Sequence, residues 1–516
     1  MATGMATGMA MASQRSVRCT VLGIGLGCLA AQVVAGEWTI APTIAVTETA
    51  TDNVGQASKN KSSDLVSNIA PGISIAGTGD RVKLRFDYQM NNLFYVNDSS
   101  RNNVQHALNT QGTLEALENW FYIDANASIS QQNLSAFGGS TNSSVDTNNS
   151  SNTAETTTYR VSPYFKGTLG MVADYQLRYN VARTSSDSGN SNNTETKGFS
   201  GRLAGISRGS IFGWAVDGNT QENRFDRGRD TESDLVRGTL TYRYDPQFRV
   251  SLIGGRESNN YSSIGKESHT IKGAGFDWAP TDRTLLSVSR EDRFFGNSDS
   301  ISFDHRTAGT AWKYRQTKDA HTSTDQWSGS AGTYFDLFNS IYASAIPNAA
   351  LRAAFVNALL AASGISPSAQ LQGGFLTNGV TLQQRRQLSF ALIGVRNTVT
   401  FAATTSETEN FSGGVGSGWF TGSDFSTLNN IKQKGLSVNW SHKLTGLSSL
   451  VGSVSRLTSK GTGTTSVQTD ENLYSINFVT QLGPKTTAGL GARRVEVDGS
   501  SNYTENAITG TFSHRF

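Results

Sequence analysis

Residues 81–91 read RVKLRFDYQMN. Val82, Leu84, Phe86, Tyr88 and Met90 are apolar, while Arg81, Lys83, Arg85, Asp87, Gln89 and Asn91 are polar or charged. A period of two belongs to a strand with one greasy and one wet face, not to a helix. The same alternation runs through 173–181, 436–444 and 474–482. Soluble sandwiches alternate too, so length and connections must separate the two cases. These runs are about 9 to 13 residues long, enough to cross a bilayer at a tilt of about 45°, whereas ordinary strands average about 5–6. Tight turns (Thr78-Gly79, Tyr244-Asp245-Pro246, Pro280-Thr281-Asp282, Thr445-Gly446, Gly483-Pro484-Lys485) alternate with longer polar loops at 133–153, 259–267 and 460–470. Short turns on one side and long loops on the other are the pattern of outer-membrane barrels.

Counting runs between turn signals gives about 22 strands, within a range of about 20–24. The count includes a run at 326–338 and one long run at 386–404, and 405–434 has room for a further pair. The expected fold is all-β, a closed antiparallel transmembrane β-barrel over 36–516. At the chain end, Ile508, Phe512 and Phe516 share the apolar face of a last strand. They have the form of the C-terminal signal by which the barrel-assembly machinery recognises its substrates.

One segment, 340–384, breaks the alternation. Pro347 opens an Ala-rich stretch in which Leu351, Ala354, Phe355, Ala358, Leu359 and Ala362 recur at helical spacing, with Gly364 and Pro367 beyond. That predicts an amphipathic helix. Counting strands back from Phe516 places this helical insertion in the periplasm.

Composition sets the class. The chain has 516 residues, with 36% hydrophobic and 16% charged, 53 Gly and 8 Pro, and a mean hydropathy of −0.35. A polytopic helical membrane protein, needing about 20 apolar residues per span, is excluded. The 25 Phe, 15 Tyr and 8 Trp argue against disorder. Both cysteines, Cys19 and Cys28, lie in the first 35 residues. Arg15 and Arg18 precede an apolar run that ends in Val33-Val34-Ala35, so residues 1–35 read as a signal peptide cleaved between Ala35 and Gly36. Trp38 follows so closely that an N-terminal plug is not expected. The two arginines account for two of the three excess positive charges, and the near-neutral body gives no case for nucleic acid. Six scattered His and no Cys beyond 35 offer no metal site, no cofactor and no catalytic constellation, so an enzyme is not expected.

The stretches WTIAPTIAVTETATDNV after the signal, NIAPGISIAGTGDR at 68–81, ISQQNLSAFGG at 129–139, WAPTDRT at 278–284, RFFGNS at 293–298, HRTA at 305–308 and IGVRNTVTF at 393–401 resemble the outer-membrane β-barrel proteins associated with the PEP-CTERM/exosortase system. The resemblance implies residence in the outer membrane of a Gram-negative bacterium, bathed in outer-membrane lipid. It also implies a link to exopolysaccharide and to a periplasmic export component. It carries no catalytic residues.

Alternation puts Lys83, Arg85, Asp87, Asp174, Arg178, Arg237, Arg243, Glu291, Arg293, Lys313 and Arg315 on the wet face. They become candidate lumen residues that could steer a polar or anionic solute. Basic residues outnumber acids among them. Outward aromatics including Tyr88, Tyr244, Trp278, Trp440, Phe478 and Phe516 read as interfacial girdles, and sugar stacking would need lumen-facing aromatics such as Tyr122. The expected function is a porin-like conduit linked to exopolysaccharide export. The alternative is a non-conducting surface scaffold or adhesin that displays Asn/Ser/Thr-rich loops.

Overall fold

The computed structural model describes residues 36–516 except 140–144, 149, 188–192, 206–210, 227, 323–333, 343–351, 354–355, 358–359, 361–374, 378 and 412–423. The signal peptide and the six expected helix-stripe residues, Leu351 to Ala362, lie outside the described residues. So do Val33 and Ala35, while Gly36 directly precedes the first strand.

The strands are β1 (Glu37–Thr51), β2 (Asp64–Thr78), β3 (Val82–Tyr95), β4 (Asn103–Leu117), β5 (Phe121–Asn133), β6 (Thr153–Leu169), β7 (Ala173–Ser186), β8 (Thr194–Gly205), β9 (Phe212–Phe225), β10 (Thr231–Arg243) and β11 (Phe248–Asn259). They continue as β12 (Glu267–Thr281), β13 (Thr284–Arg293), β14 (Gly296–Arg306), β15 (Thr310–His321), β16 (Thr381–Ile393), β17 (Asn397–Asn410), β18 (Leu428–Lys443), β19 (Ser448–Gly463), β20 (Ser466–Gly483), β21 (Thr486–Asp498) and β22 (Tyr503–Arg515). One helix is described over its full length, α1 (Tyr334–Ile341). Each strand pairs antiparallel with its sequence neighbours, and β1 pairs with β22 from Thr43↔Arg515 to Thr51↔Ala507. The sheet therefore closes, and no edge is left to face hydrocarbon.

The apolar residues of each strand point outward. On β6, Tyr159, Val161, Phe165 and Leu169 are exposed, while Ser162 and Tyr164 between them are buried. From Tyr159 to Leu169 is about 33 Å along the strand, or about 25 Å along the barrel axis at a tilt near 40°, the height of a membrane-facing band. The end that carries the chain termini has the tight turns. Asp245 Oδ1 accepts from the N–H groups of Gln247 and Phe248, both at 2.7 Å. Thr445 Oγ1 accepts from Leu447 and Ser448 at 3.1 and 2.9 Å. The six described tryptophans, Trp38, Trp120, Trp214, Trp278, Trp312 and Trp440, all lie near this end. Two indoles lie on cross-strand glycines: a Cβ at Gly77 or Gly205 would stand 2.4 Å from Trp38 or Trp214. Short turns and an aromatic girdle mark this end as periplasmic.

The opposite end carries the long connections, although several of its turns are short. The loop expected at 460–470 is a two-residue turn between β19 and β20, and β13 joins β14 through Phe294-Phe295, with Gly296 at φ +87°.

The strand total agrees with the sequence reading because two errors cancel. The run expected at 326–338 contributes no described strand, and its described end is the start of α1. The run expected at 386–404 is two strands, β16 and β17, joined by a tight turn in which the Gly394 N–H donates to Asn397 O at 2.7 Å. Val395 at the tip is apolar yet 94% exposed, which hid the break.

Splitting that run reverses the direction of everything before it. The 322–380 connection therefore leaves from the end opposite the termini, and the expected periplasmic position of the insertion is corrected. Its described residues pack inside the barrel. Leu337, Phe338, Tyr342, Val356 and Leu360 pack against Ala391, Ala402 and Val451 of the wall, with Ala311 and Ile393 beside them. Ala311 and Ile393 adjoin the periplasmic turns, so these described residues lie in the periplasmic half of the lumen. Arg352, Ala353, Val356, Asn357 and Leu360 are helical. The buried pair Val356 and Leu360 sits at i, i+4, the spacing of a buried helix face. A helix was expected here and the described residues are helical, but the side they bury, Val356 and Leu360, is not the expected stripe, whose residues lie outside the described ones.

Candidate functional site

The lumen face is built by strand alternation, which carries every second side chain inward. All eleven sequence-predicted residues stand on it. Asp174, Arg243 and Lys83 sit at the periplasmic rim, with Lys313 close above. The others are drawn into ion pairs. Arg85 Nε meets Asp87 Oδ2 at 2.9 Å, Asp87 accepts from Ser74 Oγ at 2.6 Å, and the Arg85 guanidinium lies 5.4 Å from the Phe335 ring of α1. Arg178 meets Asp124 at 2.8 Å and covers Tyr164 at 4.0 Å. Arg237 reaches across to Glu291 at 2.8 Å. Arg293 bonds Glu257 at 2.7 Å and approaches Asp319 at 3.7 Å. Arg315 pairs with Asp304 at 3.2 Å.

Sequence reasoning missed the acids that answer these bases. Asp124, Glu257, Asp304 and Asp319 are lumen-facing by the same parity rule, as are Asp217 and Asp277, which pair with Arg202 at 2.9 Å and Arg249 at 3.7 Å. Applied strand by strand, alternation would have found them. The basic excess expected of the lumen is thereby balanced.

Apart from Arg85–Asp87 on β3, these pairs line an arc from β7 to β15, with Asp124 contributed by β5. The arc is wet where the side chains stay accessible: Arg202 is 60% exposed. It is dry at the Arg293–Glu257 pair, where exposures fall to 11% and 3%. Tyr122 does face the lumen. Its ring stacks on Tyr164 at 5.1 Å and 15°, with Lys166 Nζ 4.1 Å from Tyr122 and Arg178 over Tyr164. Cations already occupy this pair, so it offers no open face for a sugar.

From the loop end, the described residues of 134–152 turn inward over the other side. Phe137 packs with Phe375, Phe425, Leu428 and Ile431. Asp424 accepts from Ser135 Oγ and the Ala136 N–H, both at 2.8 Å. Burial pushes the Asp424 carboxyl above the ordinary range, and these two hydrogen bonds pull against it. Farther along, Asn148 Nδ2 donates to Glu505 Oε2 at 2.9 Å, and Glu505 also holds Thr51 at 2.8 Å and Arg493 at 2.9 Å. Gln105 and Tyr95 bind the backbone of Asp146 and Thr147. The loop is thus stapled across β3, β4 and β22.

On the outside, Ile508, Phe512 and Phe516 are exposed on one line of β22, and the Phe516 N–H donates to Pro42 O at 2.9 Å. Tyr244, Trp278, Trp440 and Phe478 belong to the periplasmic girdle. Tyr88 does not: it stands midway along β3, its hydroxyl 2.9 Å from His106 Nδ1.

A closed 22-strand sheet, greasy outside, wet and charged inside, with its tight turns and tryptophans at the terminal end, is the architecture of the bacterial outer membrane. The chain is an outer-membrane β-barrel. No family model and no curated protein matches it. Among solved structures it is similar to the siderophore receptor PirA from Acinetobacter baumannii, at 8% identity over 94% of this chain and 81% of that chain, with a TM-score of 0.48. It is also similar to the FrpB iron transporter from Neisseria meningitidis, at 9% identity over 92% and 82%, TM-score 0.47, and to OccAB2 from A. baumannii, at 8% identity over 93% and 98%, TM-score 0.34.

Proposed function

We propose that this barrel is a porin-like conduit whose path follows the ion-paired arc β7–β15, while the described residues of the insertion pack on the adjoining wall of β16, β17 and β19. The observation that carries this reading is the accessible row of Arg–carboxylate pairs on that arc. Wide barrels with unfilled polar walls hold water, and alternating donors and acceptors suit a hydroxyl-rich solute better than an apolar one. The sequence resemblance to exosortase-associated barrels supports a saccharide polymer as that solute and a periplasmic export component as its donor. Assembly through the barrel-assembly machinery, guided by Ile508, Phe512 and Phe516, belongs to the same reading.

Planar-bilayer recording on the purified protein tests the conduit. Discrete conductance steps are expected, and deletion of the gene should reduce secreted polysaccharide. A silent barrel would favour the second reading, a surface scaffold closed from above, for which the inward-folded 134–152 loop and its Asp424 and Glu505 clamps speak. Steps without a polysaccharide phenotype would keep the conduit and remove the polymer.

A further inference from the structure

Of the arginines on the lumen wall, Arg178, Arg202, Arg237, Arg249, Arg293 and Arg315 each lie within 3.7 Å of a carboxylate. Arg385, on the lumen face of β16, has no such partner among the described residues. Its Nε and Nη2 are shut off from solvent and make no hydrogen bond. Its cross-strand neighbours are neutral, Thr317 on β15 and Ser406 on β17. Asp319, opposite Gln383 one lumen-facing step away, is the acid that Arg293 approaches. Where β16 meets the insertion, Ser389 Oγ, Thr381 Oγ1 and Asn357 Oδ1 are likewise buried without partners.

Buried polar groups are almost always hydrogen-bonded, and a buried cation without a counter-charge is costly. Nε and Nη2 are the two parallel donors along one edge of the guanidinium, the edge that grips an oxyanion through two bonds at once. We propose that Arg385 is the anchor of an anion site inside the lumen, taking a carboxylate or phosphate group of the solute. The site deepens the conduit reading and rests on it only for the route by which the solute arrives.

The test is thermal unfolding of the purified barrel in detergent, followed by the gel shift between folded and boiled protein. Inorganic phosphate, glucuronate and glucose are compared at equal ionic strength. Wild type should unfold at higher temperature with phosphate or glucuronate and be unmoved by glucose; which anion acts distinguishes a phosphate from an acidic sugar. Arg385→Gln should abolish the shift. Arg385→Lys, which keeps the charge but loses the fork, should weaken it severalfold, and it stands in if the Gln variant does not fold. A shift that survives in Arg385→Gln, or a wild type that neither anion moves, overturns the site. Anion stabilisation in a barrel that passes no current would instead overturn the conduit and leave the site standing.

Discussion

Two arcs of one lumen wall have been built by the same alternation and ended differently. From β7 to β15 the inward positions carry Arg178, Arg202, Arg237, Arg249, Arg293 and Arg315 with their acids. On β16 to β19 the buried inward positions are neutral and mostly small, including Ser389, Ala391, Thr400, Ala402, Thr404, Ser406, Val451 and Ser459, with the larger Ile431 and Gln433 among them. The difference is what covers them. A charged wall is stable where water or a counter-charge stays within reach, whereas a wall pressed against polypeptide must be small enough to be packed on and carry no stranded charge. Arg385 breaks that rule with donors shut off from solvent, whereas Lys443, inward on the same arc, is exposed at the periplasmic rim.

The comparison can be broken at the driest point of the charged arc. Glu257→Ala would leave Arg293 buried beside only the distant Asp319, and a broken buried pair costs about 3–5 kcal/mol. A clear fall in the folded fraction in urea titration, read by gel shift, is expected. A variant as stable as wild type would mean that this arc is held by something other than its pairs.

The covered arc is sharpened by Leu360→Ala. Leu360 is fully buried on Ala391, Ala402 and Val451, and such truncations cost about 2–5 kcal/mol. Here the cost should fall on docking of the insertion: faster proteolysis within 322–380 and raised conductance, with the barrel itself still heat-modifiable. A smaller effect is expected at the wet end of the charged arc. Asp217→Ala removes the partner of the exposed Arg202 and should change stability by less than about 1 kcal/mol, detectable mainly as altered ion selectivity.

The smallest expected effect is at the loop clamp above the covered arc. The folded Asp424 carboxyl is raised above its ordinary value, so its contribution is fully present below that value and is lost as the pH rises through the raised one. Protection of 134–152 from proteolysis should therefore be greater near pH 4 than at pH 7. A clamp held by ion pairs would show the opposite sign.

Much of this was legible without coordinates. Period two in RVKLRFDYQMN decided strand, face and solvent together, because side-chain direction in a strand is set by the local backbone alone. The eleven lumen candidates follow from that rule, as does the lipid-facing line of Ile508, Phe512 and Phe516. That a helix stands within 340–384 was legible too, although the side it buries, Val356 and Leu360, was not the expected stripe. The turn at 394–396 was not legible, because Val395 continues the apolar rhythm across the tip, and without that turn the direction of the insertion comes out reversed.

The sequence by itself therefore determined the class of protein: a closed, even-numbered barrel with one greasy and one wet face and a helical interruption. Tertiary structure alone decided which charges meet and where the interruption goes. Arg293 and Glu257 lie 36 residues apart, and Arg237 and Glu291 lie 54 apart; both pairs depend on the register of several strands, each of which could slip without altering its own alternation. The course of the insertion depends on the parity of every turn after it and on Ala391, Ala402 and Val451 arriving side by side to receive Val356 and Leu360. These are properties of the closed sheet, which no stretch of chain carries locally.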